Sequence, residues 1–240
     1  MAETKVNAVV LRAADYNEND KILTLLTAER GKISAGIKGV KKAGAKLKFA
    51  AQPFCFAEYV LSSRGEKYTV INASENESFY DLRTDVNKFY AASAALEAAS
   101  ALTYEGDECA EIFYALVKAL SEICTEGESG ALIKFLTFAL KRSGYGIALD
   151  NCVVCGSPLF HAEKLRFDMD AGAFSCFDCG NGAGASRVTY TVLRKTDGKS
   201  YEEDFITADG EKRALRLLRE YLSYKLGLSF KSLSEYIRLV

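Results

Sequence analysis

The stretch "RGKISAGIKGVKKAGAKLKF" at residues 30–49 combines a strand pattern with a concentration of positive charge. Apolar and polar residues alternate between residues 32 and 38, so Ile33, Ala35 and Ile37 share one face. Strict alternation is typical of a half-buried β-strand. The stretch contains seven lysines and arginines and no acidic residue. We therefore expect a strand with a basic solvent-facing side, followed by a basic, mobile loop.

Four further strands are predicted in the first 80 residues. They are rich in β-branched and aromatic residues and occupy residues 5–11, 21–27, 53–61 and 66–73. Turns at residues 29–31 and 62–66 separate some of them, which favours hairpins. Five short strands in a small unit suit a closed antiparallel barrel, and an OB-fold is the leading prediction. An SH3-like barrel fits the same pattern.

The remaining long elements are predicted to be helices. Residues 85–105 are Ala-rich without Gly or Pro, and residues 109–124 place their apolar side chains on one helical face. A third helix is expected to begin at an N-cap on Ser129 and to stop at Gly144. Near the C-terminus, Asp209 is the expected N-cap of a helix that Gly227 ends. A short last helix is expected over residues 232–239.

Four cysteines have the spacing of metal ligands: Cys152 and Cys155 form one Cys-x-x-Cys turn, and Cys176 and Cys179 form another. Each turn directs two thiolates to one point, and two turns supply the tetrahedral sulfur site that zinc favours. Four sulfurs leave no open ligand position, so one structural zinc ion per chain is predicted. The glycines that follow the two turns would allow close backbone approach. The other cysteines, Cys55, Cys109 and Cys124, lie on apolar patterns and are expected in the core.

The sequence offers little support for an enzyme, and no catalytic residue is predicted. Zinc deaminases of nucleobases combine His-x-Glu with a later Pro-Cys-x-x-Cys. His161 and Glu163 supply the first motif, but Ser175 stands where proline is expected, and two cysteines would lack a role. The chain has a single histidine and no phosphate-binding P-loop pattern. The glycine-rich residues 180–186 follow a cysteine turn rather than a strand, which favours a flexible loop.

The charge distribution points to nucleic acid. The net charge is −1 overall, but it is +3 over residues 1–80, −5 over residues 81–150 and +1 over residues 151–240. Lysines on a barrel face and its adjoining loop can follow a phosphate backbone, although a solubilising loop would look similar. Tyr16, Phe49 and Tyr68 are candidate base-stacking residues. The candidate DNA-binding residues are Arg12, Lys21, Lys32, Lys38, Lys41, Lys42, Lys46 and Lys48.

The sequence has no signal that directs it to a membrane. No apolar run reaches the length of about 18 residues that a membrane-spanning helix needs. The first residues also lack the basic, apolar and small-residue regions of a signal peptide. A cytoplasmic location is therefore expected.

Several segments resemble the bacterial RecO family of recombination and repair proteins. "YNENDKILTLLTAERGKISAGIKGVKK" (16–42) resembles the family's N-terminal region, and "AQPFCFAEYVL" (51–61) resembles its next strand. "FLTFALKRSGYGIALDNCVVCG" (135–156) and "LREYLSYKLGLSFKS" (218–232) resemble later parts of the family. The matches occur in the family's order along the whole chain, with no clear match at residues 182–207.

The resemblance implies an α+β multidomain protein. The expected parts are an OB-fold at 1–80, a helical domain at 81–150, a zinc-binding module with four cysteines at 151–185, and C-terminal helices at 186–240 that pack on the helical domain.

The family's function implies a non-enzymatic recombination mediator that is associated with the nucleoid. Such a protein binds single- and double-stranded DNA, anneals complementary strands and, with RecR, helps load RecA onto DNA coated by single-strand-binding protein. It also binds the acidic tail of single-strand-binding protein, for which Lys212, Arg213 and Arg216 are candidate contacts. The alternative interpretation is a zinc-ribbon adaptor that binds RNA or docks proteins without a DNA function.

Overall fold

A computed structural model describes residues 2–65, 67–160, 162, 164–198 and 206–240. His161 and Glu163 of the deaminase alternative lie outside the described residues. None of the helices in these ranges is long and apolar enough to cross a membrane. The strands are β1 (Ala2–Tyr16), β2 (Asp20–Thr27), β3 (Gly31–Ile37), β4 (Phe56–Arg64), β5 (Lys67–Glu77), β6 (Leu165–Asp168), β7 (Ala173–Cys176) and β8 (Ala183–Ala185). The helices are α1 (Val86–Leu102), α2 (Ala110–Thr125), α3 (Glu128–Arg142), α4 (Arg187–Thr196), α5 (Ala208–Leu226) and α6 (Lys231–Leu239).

The first five strands close into a barrel of order β1-β2-β3-β5-β4, in which β4 pairs back with β1. All pairs are antiparallel except β3 with β5, which run parallel from Ala35↔Tyr68 to Ile37↔Val70. This five-stranded arrangement confirms the predicted OB-like barrel. Strand β1 is longer than predicted because its first half pairs with β4 and its second half with β2, with a register shift between Val10 and Arg12.

The alternation in β3 builds the barrel core. Ile33, Ala35 and Ile37 are buried, as predicted, while Ser34 and Lys38 are exposed. The three buried residues pack in one cluster with apolar residues from every other barrel strand. The alternate side chains of β3 that point inward therefore contact buried side chains from the rest of the barrel.

Helices α1, α2 and α3 form a bundle in which the Ala-rich α1 lies against both neighbours and α6. Asp85 caps α1 by accepting hydrogen bonds from the N–H groups of Asn87 and Lys88. The apolar face predicted for α2 is buried, and the buried face of α3 includes Leu132, Phe135, Leu136, Ala139 and Leu140. Helix α6 also contacts α5, and α5 contacts α3. The four-part domain division stays a prediction.

Two predicted caps are wrong. Helix α3 already begins at Glu128, so Ser129 lies inside it, with its Oγ 2.8 Å from the Tyr236 Oη. The N-cap of α5 is Thr207, whose Oγ1 accepts a hydrogen bond from the Gly210 N–H, and Asp209 instead pairs with Arg213. Each helix starts slightly earlier than expected, because an earlier residue takes the cap position.

The barrel and the helices share a continuous core. Val9 and Leu26 turn away from the barrel interior into the helical cluster. Phe56 of β4 meets Phe113 of α2 edge-to-face, with ring centroids 5.8 Å apart. Gly31 adopts φ +65°, and a Cβ there would lie 2.1 Å from the Asp107 carbonyl oxygen. Only glycine therefore fits where the β2–β3 turn meets the α1–α2 connection.

The residues after the second cysteine turn are not simply a flexible loop, as the sequence suggested. Ala183–Ala185 form β8, which pairs antiparallel with β6. The pairing needs a close approach at Gly182, where a Cβ would lie 2.2 Å from the Phe167 carbonyl oxygen. The small sheet β7-β6-β8 rests on α5 through an edge-to-face contact between Phe167 and Tyr221, with centroids 5.5 Å apart.

Candidate metal centre and nucleic-acid interface

The structure brings the four predicted cysteine ligands together. Their sulfur atoms all lie within 4.8 Å of one another. The Sγ–Sγ distances are 3.3 Å for Cys152–Cys179, 3.6 Å for Cys155–Cys179 and 3.8 Å for Cys155–Cys176. A zinc ion with Zn–S bonds of about 2.3 Å needs tetrahedron edges of about 3.8 Å. All seven cysteines are free, so these sulfurs can hold a metal ion.

Backbone N–H groups surround the most buried of the four sulfurs. The N–H groups of Val154, Cys155 and Cys176 point to the Cys152 Sγ at 3.4, 3.5 and 3.3 Å. Burial raises the pKa of Cys152, but these donors outweigh burial and lower the pKa to about 6. These donors therefore favour the Cys152 thiolate, which is the form that binds metal.

Arg166 and Gly180 support the second cysteine turn. The Arg166 guanidinium donates to the carbonyl oxygens of Phe177 at 2.8 Å and Gly182 at 3.0 Å. It also lies 4.3 Å from the centroid of the Phe177 ring. A Cβ on Gly180 would lie 1.8 Å from the Ser175 Oγ, which confirms the expected close approach there. The same expectation is wrong for Gly156, whose Cβ would meet nothing within 4 Å and whose φ of +74° favours glycine instead. Sequence reasoning missed Arg166, because its partners are backbone oxygens that only the fold brings near.

A groove of about 400 Å³ runs over the barrel where β3 and β5 pair. Tyr16 and Tyr68 line it together with Lys21, Lys38 and Lys67. Its wall also includes Ser34, with a small side chain, and Gly36, with none, which leaves room for a ligand. OB-folds bind oligonucleotides on the face formed by the second and third strands. The groove lies on that face of the barrel.

The basic loop that follows β3 is anchored beside this groove. The Gly39 N–H donates to the Asp20 Oδ1 at 2.8 Å, and the Lys41 N–H donates to the Asn19 carbonyl oxygen at 3.1 Å. Both contacts hold the start of the loop against the β1–β2 turn. Lys42 and Lys46 are exposed farther along the loop. The loop therefore extends the basic surface outward from the groove.

The predicted DNA-binding residues do not all meet at this surface. Lys21 and Lys38 line the groove. Lys41 lies beside it, because its ion pair of 2.9 Å is with Asp15, whose carboxylate is also 3.7 Å from the Lys21 Nζ. Arg12 is exposed on β1. Lys32 has a different environment, because its Nζ donates to the Ser100 carbonyl oxygen at 2.7 Å. We therefore leave Lys32 out of the candidate surface.

The candidate base-stacking residues differ in their environments, and the groove contains one further lysine. Phe49 packs against the barrel core, whereas Tyr16 is 53% exposed. Lys67, which sequence reasoning missed, lies across the groove from β2, just after the turn at Gly65. A lysine directly after a hairpin turn was the available signal. Lys48 turns its Nζ to the Ala43 carbonyl oxygen at 2.9 Å, which stabilises the loop.

The three predicted partner-binding residues do not lie on one surface. Arg213 and Arg216 line a cleft of about 290 Å³ between β8 and α5. Arg213 also pairs with Asp209 at 2.7 Å. The Lys212 Nζ instead donates to the Val240 carbonyl oxygen. The first two therefore share a surface, and Lys212 fastens the end of α6.

A second apolar groove, of about 420 Å³, lies between α2 and α3. Its aromatic walls come from Tyr114, Phe135 and Phe138, and Lys118 and Lys134 stand at its edge. Both lysines pair with Glu122, at 3.6 and 3.0 Å. The sequence signal was an aromatic residue on the polar side of each helix, since Tyr114 is 64% exposed and Phe138 is 37% exposed.

Comparison with known proteins covers both halves of the chain. A family model described as "Recombination protein O N terminal" matches residues 1–79, and one described as "Recombination protein O C terminal" matches residues 83–234. Similar curated proteins carry the name DNA repair protein RecO. The relative from Desulforamulus reducens is 30% identical over 95% of this chain and 91% of its own length.

Two other relatives with the same name extend the comparison. The Clostridium perfringens protein is 30% identical over 85% of this chain and 83% of its own length. The Desulfitobacterium hafniense protein is 36% identical over 72% of this chain and 63% of its own length. With both family models matched in order on an OB-like barrel, a helical bundle and a four-cysteine cluster, the chain belongs to the RecO family of DNA repair proteins.

Proposed function

We propose that this protein is a recombination mediator. It binds single- and double-stranded DNA, anneals complementary strands and, together with RecR, helps load RecA onto DNA coated by single-strand-binding protein. The observation that carries the proposal is the barrel groove, in which two tyrosines and three lysines face one channel in a RecO-family chain. It works by binding and positioning DNA, without a catalytic step, in the cytoplasm and at the nucleoid.

The groove supports a binding mode that depends little on sequence. Lys21, Lys38 and Lys67 supply positive charge for phosphates, and the loop lysines extend that charge beyond the groove. Tyr16 and Tyr68 offer rings on which any base can stack. Bases that stack on protein are unpaired and can meet a complementary strand, which is the requirement for annealing.

We propose that the four cysteines hold one structural zinc ion. Cys152, Cys155, Cys176 and Cys179 would occupy all four positions of a tetrahedral site, so the ion would have no open position for chemistry. When bound, zinc would link two backbone turns whose apolar side chains Val153, Val154 and Phe177 are exposed. The small sheet would then present a fixed surface to α5.

We propose that the tail of single-strand-binding protein docks in the α2–α3 groove. That tail is acidic and apolar, and the groove offers three aromatic side chains, with two lysines at an edge that also carries Glu111 and Glu122. The cleft at Arg213 and Arg216, which the sequence favoured, is the second candidate. Phe138→Asp should abolish tail binding if the α2–α3 groove is used, and Arg216→Ala should do so if the cleft is used.

An annealing assay tests the function as a whole. Complementary labelled strands are first coated with single-strand-binding protein and then mixed with this protein. We expect faster annealing than with coated strands alone, and slower annealing when Tyr16 and Tyr68 are both replaced by Ala. No acceleration, together with no DNA binding at low salt, would overturn the proposed function.

A further inference from the structure

The carboxylate of Asp15 lies between two lysine ammonium groups at the rim of the barrel groove. Its Oδ2 is 2.9 Å from the Lys41 Nζ, and its Oδ1 is 3.7 Å from the Lys21 Nζ. The two cations therefore contact different oxygens of one anion. The Asp15 side chain is itself 63% exposed, so the arrangement faces solvent. Tyr16, the next residue, lines the groove.

We propose that Lys21 and Lys41 form a phosphate-binding site at the groove rim, which Asp15 occupies until a nucleic-acid phosphate displaces it. The inference deepens the proposed DNA binding and rests on it. A phosphodiester resembles a carboxylate in carrying one negative charge over two free oxygens. The pair of ammonium groups that brackets Asp15 matches that ligand in charge and in the number of contacts.

The backbones of the two lysines are held in place by main-chain contacts that do not depend on the Asp15 carboxylate. Lys21 lies on β2, paired with Ile37 of β3 as well as with Asp15 of β1. The Lys41 backbone is fixed by its hydrogen bond to the Asn19 carbonyl oxygen, 3.1 Å away. The backbone positions of both lysines therefore stay in place when the carboxylate moves away, and both ammonium groups remain within reach of an incoming phosphate.

The exposure of the three side chains makes the displacement feasible. Lys21 and Lys41 are 28% and 34% exposed, and solvent-exposed ion pairs contribute little to stability. A phosphate can therefore replace the carboxylate at little cost to the fold. Because Asp15 competes with the phosphate for the two lysines, it lowers the affinity for DNA. A lower affinity favours release of a strand once it has paired with its complement.

The proposal predicts that removal of the Asp15 charge makes DNA binding tighter and more sensitive to salt. Asp15→Asn keeps the size of the side chain and removes its charge. In the wild type, binding exchanges one anion for another at the two lysines. In Asp15→Asn the lysines carry salt counterions instead, and phosphate binding releases them. We therefore expect higher affinity for single-stranded DNA at low salt and a plot of log K against log salt that is steeper by about 0.7 per phosphate.

Glu58→Gln is the matched control, because it removes the same charge from a different face of the barrel. Glu58 of β4 pairs with Lys5 of β1 at 3.0 Å and does not line the groove. A general electrostatic effect would change both variants equally. A Lys21→Ala change combined with Asp15→Asn should cancel the gain, because the proposed site then lacks one cation.

The experiment measures binding of a fluorescent oligothymidine strand to the full chain across a salt series. An increase in affinity and slope for Asp15→Asn beyond that of Glu58→Gln supports the proposal. Unchanged binding, weaker binding, or a gain equal to that of Glu58→Gln overturns it, while wild-type binding keeps the proposed function. Absence of wild-type binding at low salt overturns both.

Discussion

The Lys32 Nζ donates a 2.7 Å hydrogen bond to the Ser100 carbonyl oxygen in the last turn of α1. Lys32 lies on the barrel strand β3, so this contact joins the barrel to the helical bundle. The carbonyl oxygens at a helix C-terminus carry partial negative charge and attract cations. A lysine that alternation alone assigns to a DNA-binding face thus links the barrel to the helical bundle.

Lys32→Met should therefore lower stability without loss of DNA binding. Hydrogen bonds to charged groups contribute about 1.5–3 kcal/mol, and we expect the free energy of unfolding to fall by roughly that amount. Urea unfolding followed by circular dichroism measures the change. Lys42→Met is the control, since it should weaken DNA binding and leave stability unchanged. The reverse pattern would place Lys32 in the DNA interface.

Glu97 of α1 should prove to be the N-terminal cap of α6. Its carboxylate accepts from the N–H groups of Lys231 at 2.9 Å and Ser232 at 3.0 Å. Loss of such a cap costs about 1–2 kcal/mol, which we expect for Glu97→Ala. Glu97→Gln keeps an acceptor oxygen and should lose less. Equal denaturation midpoints for the two variants would argue against capping.

Metal analysis should find one zinc ion per chain under reducing, metal-replete conditions. Cys176→Ser should lower the zinc content, whereas Cys124→Ser should leave it unchanged because Cys124 is outside the sulfur cluster. Removal of the ion by a chelator should increase hydrogen exchange in β6 and β7 and leave the barrel amides protected, since the barrel has its own core. A protein without bound metal but with protected β6 and β7 would contradict a structural zinc.

Tyr16→Ala and Tyr68→Ala should each weaken single-strand binding. A stacked base contributes about 1–3 kcal/mol, which corresponds to a loss of about 5-fold to 150-fold in affinity. Tyr16→Phe keeps the ring and should bind nearly as the wild type does. Tyr104→Ala removes a tyrosine that is 62% exposed outside the groove and should have no effect. Fluorescence anisotropy at fixed salt distinguishes these variants, and equal losses for Tyr104 and Tyr16 would contradict stacking.

Sequence patterns correctly predicted the features that depend only on residues close together in the chain. The alternation at Ile33, Ala35 and Ile37 identified a barrel strand, because a period of two needs no information about distant residues. The two Cys-x-x-Cys turns identified the sulfur cluster, because each turn fixes its own pair of ligands. Gly227 marked the end of α5 for the same reason, and its φ is +65°.

The features that the sequence did not reveal depend on tertiary contacts. Alternation assigned Lys32 to the solvent-facing side of β3. It could not show that the C-terminal end of α1 lies within hydrogen-bond distance of the Lys32 side chain. The composition of residues 30–49 did not show that Lys41 of this stretch shares the Asp15 carboxylate of β1 with Lys21 of β2. The groove between α2 and α3 appears only when Tyr114 and Phe138 come together. In each case the partner is far away in the sequence.

The measurement that tests the central claim most directly is binding of a fluorescent single strand of roughly 30 nucleotides to wild type and to the Lys42→Ala/Lys46→Ala double variant across a salt series. These loop lysines are exposed. Each lost phosphate contact should lower the slope of log K against log salt by about 0.7, so we predict a decrease of about 1.4. A Lys118→Ala/Lys134→Ala variant in the α2–α3 groove should keep the wild-type slope. Identical slopes for all three proteins, or no binding at low salt, would contradict a DNA-binding barrel surface.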